Sequence, residues 1–111
     1  MKRYKMIVLS NATPGRDAQF NDWYTKEHIY DVIKVPGFVS AQRFHAVREP
    51  GSPETKFKYL AVYELEADDV DAALAELADR YGKPGMSASD ALDPTTYVMV
   101  CEALTPLVNR S

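Results

Sequence analysis

The chain has 111 residues, 46% of them hydrophobic and 26% charged, the composition of an ordinary globular protein with room for one core. A formal net charge of -3 provides no basic footprint for nucleic acid, and Lys2 and Arg3 are too few to hold a membrane surface. No apolar run approaches the roughly 20 residues that cross a bilayer, and the single cysteine, Cys101, excludes an intrachain disulfide framework and fits a reducing, cytoplasmic setting.

Residues 1–111 are expected to form one domain. In MKRYKMIVLS positive charge precedes apolar residues, but Met6–Leu9 is shorter than the roughly 7–15 residues of a signal-peptide core. Residues 3–10 therefore read as a first strand. Asn11-Ala-Thr-Pro-Gly15 is a loop, and a helix follows over 16–34, with Asp17 suited to its first turn. On a helical wheel Phe20, Tyr24, His28, Asp31, Val32 and Val35 share one face, which should be the buried one; Trp23, Tyr30 and Ile33 fall on the other side. Val35-Pro36-Gly37 ends the helix, because proline cannot continue it and glycine permits the reversal.

Strand two, 37–47, has faces Val39/Ala41/Arg43/His45 and Phe38/Ser40/Gln42/Phe44. REPGSPETK is a flexible connection. Strand three, FKYLAVYELE, divides into Phe57/Tyr59/Ala61/Tyr63/Leu65 and Lys58/Leu60/Val62/Glu64. Ala67-Asp-Asp-Val-Asp opens a second helix that Asp68 or Asp69 can cap. Its apolar stripe is Val70, Ala73, Leu74, Leu77, Ala78 and Tyr81, with Gly82 and Pro84 as the stop. Residues 83–94 read as a loop, and 95–104 as strand four.

The order β-α-β-β-α-β is the split βαβ, ferredoxin-like pattern, an α+β fold with both helices on one face of a four-stranded antiparallel sheet. If Leu60 and Val62 point away from the helices, several of Tyr4, Met6, Val8, Phe38, Phe44, Val98 and Val100 do so too. Such a face is too apolar for water, and a second copy stacked on it, a homodimer, is the economical cover.

The segments FNDWYTKEHIYDVIKVPGFVSAQRF and YLAVYEL resemble the dimeric α/β-barrel superfamily, and within it small EthD-like proteins with a W-Y-x-x-x-H … V-P-G-F … R-F/Y pattern. That pattern is met by Trp23, Tyr24, His28, Val35-Pro36-Gly37-Phe38, Arg43 and Phe44, within a likeness spanning residues 3–104. The superfamily includes proteins of ether and aromatic catabolism, polyketide cyclases, cofactor-free monooxygenases and muconolactone isomerases. The resemblance implies a ligand between helices and sheet, faced by His28 and Tyr59, with Arg43 from strand two and Met99 or Cys101 from strand four. Cyclase-type members with a histidine on strand three have Tyr59 here instead.

The residues themselves give the chemistry. A histidine titrates near neutrality and can accept a proton from a phenol, enol or carbon acid, and Asp31 one turn later is placed to orient it. The alternative is a core histidine held by Asp31 or a backbone carbonyl. Tyr24, Tyr59 and Tyr63 supply an apolar pocket with polar tips, or simply aromatic packing. Arg43 on an inward face needs an anion: Asp31, Glu102 or a ligand oxyanion. Two histidines without helical i,i+4 spacing argue against metal, and Gly82 and Gly85 around Pro84 form no nucleotide loop. Some superfamily members bind haem, but the carboxylate near His28 argues against it, so no cofactor is expected. Cys101 reads as core filler. The expected function is proton-transfer chemistry on a small apolar, aromatic or polyketide-like molecule, of cyclase, isomerase or cofactor-free oxygenase type. The alternative is a dimeric binding protein without turnover.

Overall fold

The computed structural model describes residues 1–111. In chain order the elements are β1 (Lys2–Ser10), α1 (Asp17–Trp23), a π-helical segment (Tyr24–His28), α2 (Ile29–Ile33), β2 (Phe38–His45), β3 (Tyr59–Ala67), α3 (Val70–Arg80) and β4 (Tyr97–Cys101). The four strands form one antiparallel sheet in the order β2-β3-β1-β4. This is the ferredoxin-like arrangement expected from the alternation of elements. No helix is long and apolar enough to cross a membrane.

The core lies between the sheet and the helix layer. Strict alternation on β3 buries Ala61, Tyr63 and Leu65, and β1 adds Met6 and Val8 in register with them. From the helices come Phe20, Trp23, Tyr24 and Val32, with Val35 just beyond, all buried. α3 starts where Asp69 accepts a hydrogen bond from the Ala72 amide at 3.1 Å, the capping role its sequence suggests. Gly37 takes φ of +99° and passes so close to β3 and α3 that a Cβ would meet the Glu66 carbonyl at 3.4 Å and Ala73 Cβ at 3.5 Å. Its own carbonyl accepts from the Glu66 amide at 2.8 Å, which ties the helix exit to the sheet.

Two expectations about the strands are corrected. A bulge between Phe38 and Ser40 shifts the register of β2, so that Phe38 pairs with Leu65 and Ser40 with Glu64. Phe38 therefore joins Ala41, Arg43 and His45 on the helix side, while Val39 turns to the other face beside Lys5 and Glu64. The uncovered face also has a different membership. Directly paired residues of antiparallel strands point the same way, and Ile7 pairs with Val62 and Met99, Leu9 with Leu60 and Tyr97. Those residues, with Phe44, Val39 and Cys101, form the apolar part of the open face. Tyr4, Met6, Val8, Phe38, Val98 and Val100 lie on the helix side instead.

Residues 83–94 are more than a connection. Their backbone pairs with the β1–α1 loop, Thr13 donating to the Ala91 carbonyl at 2.7 Å and Asp93 to that of Asn11 at 3.0 Å. This holds Ala91 in the core, and a local bridge between Lys83 and Met86 sets Met86 there too; both are fully buried.

Candidate functional site

The five-residue π segment sets the geometry of the site. In an unbroken α-helix, residues five apart point about 140° from one another. The wider π turn brings Trp23 and His28 into line, and their rings stack with centroids 4.5 Å apart and planes 16° apart. Trp23 is thus beside His28, not on the far side of the helix as its wheel position suggests. Its indole Nε1 donates to Ser87 Oγ at 3.3 Å, using the 83–94 loop as a brace. Tyr30 does remain exposed, whereas Ile33 is partly buried against the core; both border a shallow depression with Ala41.

His28 lines a cavity of about 390 Å³ between the helix layer and the sheet. The helix rod contributes Tyr24, His28 and Val32; the sheet contributes Met6, Val8, Ser10, Tyr63 and Val98. Leu77 and Ala78 of α3 and Tyr81 just beyond its end, with Leu92 and Thr96, complete the wall. An apolar hollow of this size with a few polar tips is how small-molecule sites are generally built.

No protein group hydrogen-bonds the His28 imidazole, and its Nδ1 is buried without a partner. Burial, and secondarily the charge of Arg43, push its pKa down from 6.5 to about 4. The ring is therefore neutral near pH 7. Asp31 does not orient it; its carboxylate lies 3.8 Å from Lys34 Nζ. Tyr24 and Tyr81 meet the imidazole edge-on at 4.8 and 5.6 Å, completing an aromatic cage with Trp23.

The Tyr24 and Tyr63 hydroxyls share a buried hydrogen bond of 2.5 Å. Burial raises both phenol pKa values, Arg43 pulling each back in part. Arg43 and Tyr59 do not line the cavity. They line an open cleft of about 290 Å³ with Asn21, Thr25, Phe44 and His45. The Arg43 guanidinium donates to Thr25 Oγ1 at 2.7 Å and Asn21 Oδ1 at 2.9 Å, and lies 4.5 Å from the Tyr24 ring centroid. Neither expected carboxylate reaches it, since Glu102 lies nearest Lys2 and Asp31 nearest Lys34. Tyr59 donates to Asp17 Oδ2 at 2.6 Å. Met99 is half exposed on the opposite face of the sheet. Of the seven candidate residues, the fold thus unites His28, Tyr24 and Tyr63, sets Arg43 and Tyr59 in a neighbouring cleft, and leaves Asp31 and Met99 elsewhere. Sequence reasoning did not pick out Ser10, Leu92 or Thr96 as wall residues; Ala78 and Tyr81 were visible only as part of an apolar stripe. No group of three or more His, Cys, Asp or Glu side chains is placed to hold a metal ion.

No protein-family model matches the chain. A curated relative, core atranone cluster (CAC) protein 1 of Stachybotrys chlorohalonatus (strain IBT 40285), is 28% identical over 91 residues, 76% of this chain. The chain spans 37% of that relative's length. Among solved structures, an ethyl tert-butyl ether d (EthD) family protein from Bacillus halodurans c-125 matches 92% of this chain and 99% of its own, with 19% identity and a TM-score of 0.54. A dabb family protein with a ferredoxin-like fold from Mesorhizobium loti matches 95% of this chain and all of its own, with 10% identity and a TM-score of 0.65. The heme-degrader MhuD of Mycobacterium tuberculosis, which has two hemes bound in its active site, matches 95% and 99% at 17% identity and a TM-score of 0.64. The chain thus has the ferredoxin-like fold seen in the dabb family protein. The EthD-like pattern around Trp23, His28 and Val35-Pro36-Gly37-Phe38 agrees with the EthD protein among these neighbours.

Proposed function

We propose that the protein takes a small apolar molecule, aromatic or polyketide-like, into the His28 cavity and acts on it by proton transfer at the imidazole. Cyclisation, isomerisation and cofactor-free oxygenation are the reaction types that fit, and none of the proton steps calls for a metal or an organic cofactor. The observation that carries this reading is a neutral histidine, without a hydrogen-bond partner, on the wall of an apolar hollow of about 390 Å³. The heme-degrader among the fold neighbours supports an enzyme of small-molecule metabolism. A second reading, a binding protein without turnover, is favoured by Asp31, which turns to Lys34 and leaves His28 without a carboxylate.

Screening aromatic and polyketide-like compounds by thermal shift, then following turnover of those that bind, tests both readings. For an enzyme, His28→Ala lowers turnover by about 10²–10⁴-fold while the fold persists. Turnover by the wild type would fall with acidification near pH 4, where His28 becomes charged, and not near its ordinary value of 6.5. Equal turnover in the alanine variant rules out the imidazole as base.

The proposal includes a homodimer through the open face of the sheet, where Leu60, Val62, Ile7 and Leu9 are only partly covered. An interface of that kind buries roughly 2,000 Å² or more. Leu60→Asp would dissociate it by placing an unpaired charge at its centre. Sedimentation of the wild type as a 12.5 kDa monomer at micromolar concentration would overturn this part.

A further inference from the structure

The pair of buried phenols leaves one proton without a place in the protein. Tyr24 and Tyr63 carry two hydroxyl protons, and a single one lies in the 2.5 Å hydrogen bond between the two oxygens. Neither hydroxyl makes any other hydrogen bond within the chain. Both side chains are almost wholly buried, at 3% and 1% exposure, so bulk solvent outside the cavity does not take up the second proton. A buried donor without an acceptor is costly, and native structures rarely tolerate one. Whichever phenol accepts within the pair keeps its own O–H, and both residues are walls of the His28 cavity.

We propose that the Tyr24–Tyr63 pair is a donor clamp for an acceptor oxygen of the ligand, which makes the ligand class a neutral molecule with a ketone, enol or phenol oxygen on an otherwise apolar frame. This rests on the cavity reading above and adds to it the group that is recognised and the residues that recognise it. Two hydroxyls in series polarise one another, so the outer bond strengthens as negative charge develops on the ligand oxygen. The Arg43 guanidinium, 4.5 Å from the Tyr24 ring centroid, adds positive potential to the pair without lining the cavity. Uncharged acceptors suit the site best, because His28 is neutral and no cation faces the cavity.

The test uses 1-tetralone and tetralin, which differ at the carbonyl, as probes of the intact chain. The wild type is expected to bind 1-tetralone about five- to tenfold more tightly than tetralin. The carbonyl stretching band of the bound ketone is expected at lower wavenumber than in hexane. Tyr24→Phe and Tyr63→Phe each leave one O–H and keep the band shift. The double variant binds tetralin more tightly than 1-tetralone, because the ketone then loses its hydration without gaining a donor, and the band returns to its hexane position. Since infrared spectra of the wild type alone read the hydrogen bond, the test survives a double variant that fails to fold. Equal binding of both probes with an unshifted band overturns the clamp and leaves the cavity reading standing. A shift that persists in the double variant overturns it in favour of another donor. Failure of the wild type to bind either probe overturns both.

Discussion

Tyr24 touches two compartments that differ in every electrostatic respect. On one side is the His28 cavity, apolar and holding a neutral imidazole whose Nδ1 has no partner. On the other is an open, polar cleft in which the Arg43 guanidinium is held by Asn21 and Thr25 and by the rings of Phe20, Tyr24 and Tyr59. Sequence alone presents these residues as one constellation of base, carboxylate and cation. The fold separates them and makes them act on one another at a distance. Arginine beyond the Tyr24 ring disfavours a second positive charge on His28, and no carboxylate offsets it. The neutrality of His28 is therefore imposed by its surroundings, by burial first and Arg43 second, with no hydrogen-bonded partner required.

The strongest way to break this contrast is to open the cavity wall. Trp23→Ala removes the ring stacked on His28 and the brace to Ser87, and loses about 3–5 kcal/mol of stability, measured by chemical denaturation. With its cover gone, the His28 pKa rises toward 6.5, an effect read by NMR titration. Acid attacks the same feature without a mutation. The unfolded chain takes up a proton at His28 near pH 6.5 and the folded chain near pH 4, so between those values the unfolded state binds more protons. The contribution of a neutral His28 is complete above pH 6.5 and is lost as pH falls toward 4. At about 1.4 kcal/mol per pH unit, the fall from 6.5 to about 4 corresponds to about 3 kcal/mol. Denaturation of the wild type and a His28→Gln variant across this range isolates it; parallel pH profiles would overturn the assignment. The smallest effect comes from the cleft. Arg43→Met keeps the stem over the aromatic rings and removes the charge, lowering stability by about 1 kcal/mol. It raises the His28 pKa from about 4, but leaves it below 6.5, because burial is the larger cause.

The architecture was legible because its signals are local and repetitive. Alternation in YLAVYEL, the stop at Val35-Pro36-Gly37 and the acidic start of α3 fix elements, order and fold class. Two misplacements came from a break in a period, whereas Tyr4, Met6, Val8, Val98 and Val100 were set on the wrong face because the pairing register of β1 and β4 depends on contacts between strands. The β2 bulge exchanges Phe38 and Val39 between faces. The π turn moves Trp23 from the outside of the helix to the imidazole. Neither break has a glycine or proline to announce it. That His28, Tyr24 and Tyr63 face the space between helices and sheet was legible, because an imidazole and two phenols on buried faces have few places to go. The partners assigned to them were not, because Asp31 and Arg43 respond to neighbours on other elements. The contribution of Ala91 was also hidden, since its loop is held by pairing with Asn11 and Thr13, far away in sequence.

The π turn has a consequence for chain length. Phe20 and Val32, both buried, stand twelve positions apart, which in an uninterrupted α-helix would place them about 120° out of phase. The wide turn absorbs about one residue of rotation, so both anchors face the sheet. A deletion of one residue between Tyr24 and His28 would therefore restore an ordinary α-helix without turning either anchor away. Trp23 and His28 would then be four positions apart and still adjacent. The same deletion between Asp17 and Phe20, or after Ile29, has no such slack and would rotate one end of the rod off the core. The helix can thus be shortened most safely at the turn that carries its candidate base, where length and packing are least tightly linked.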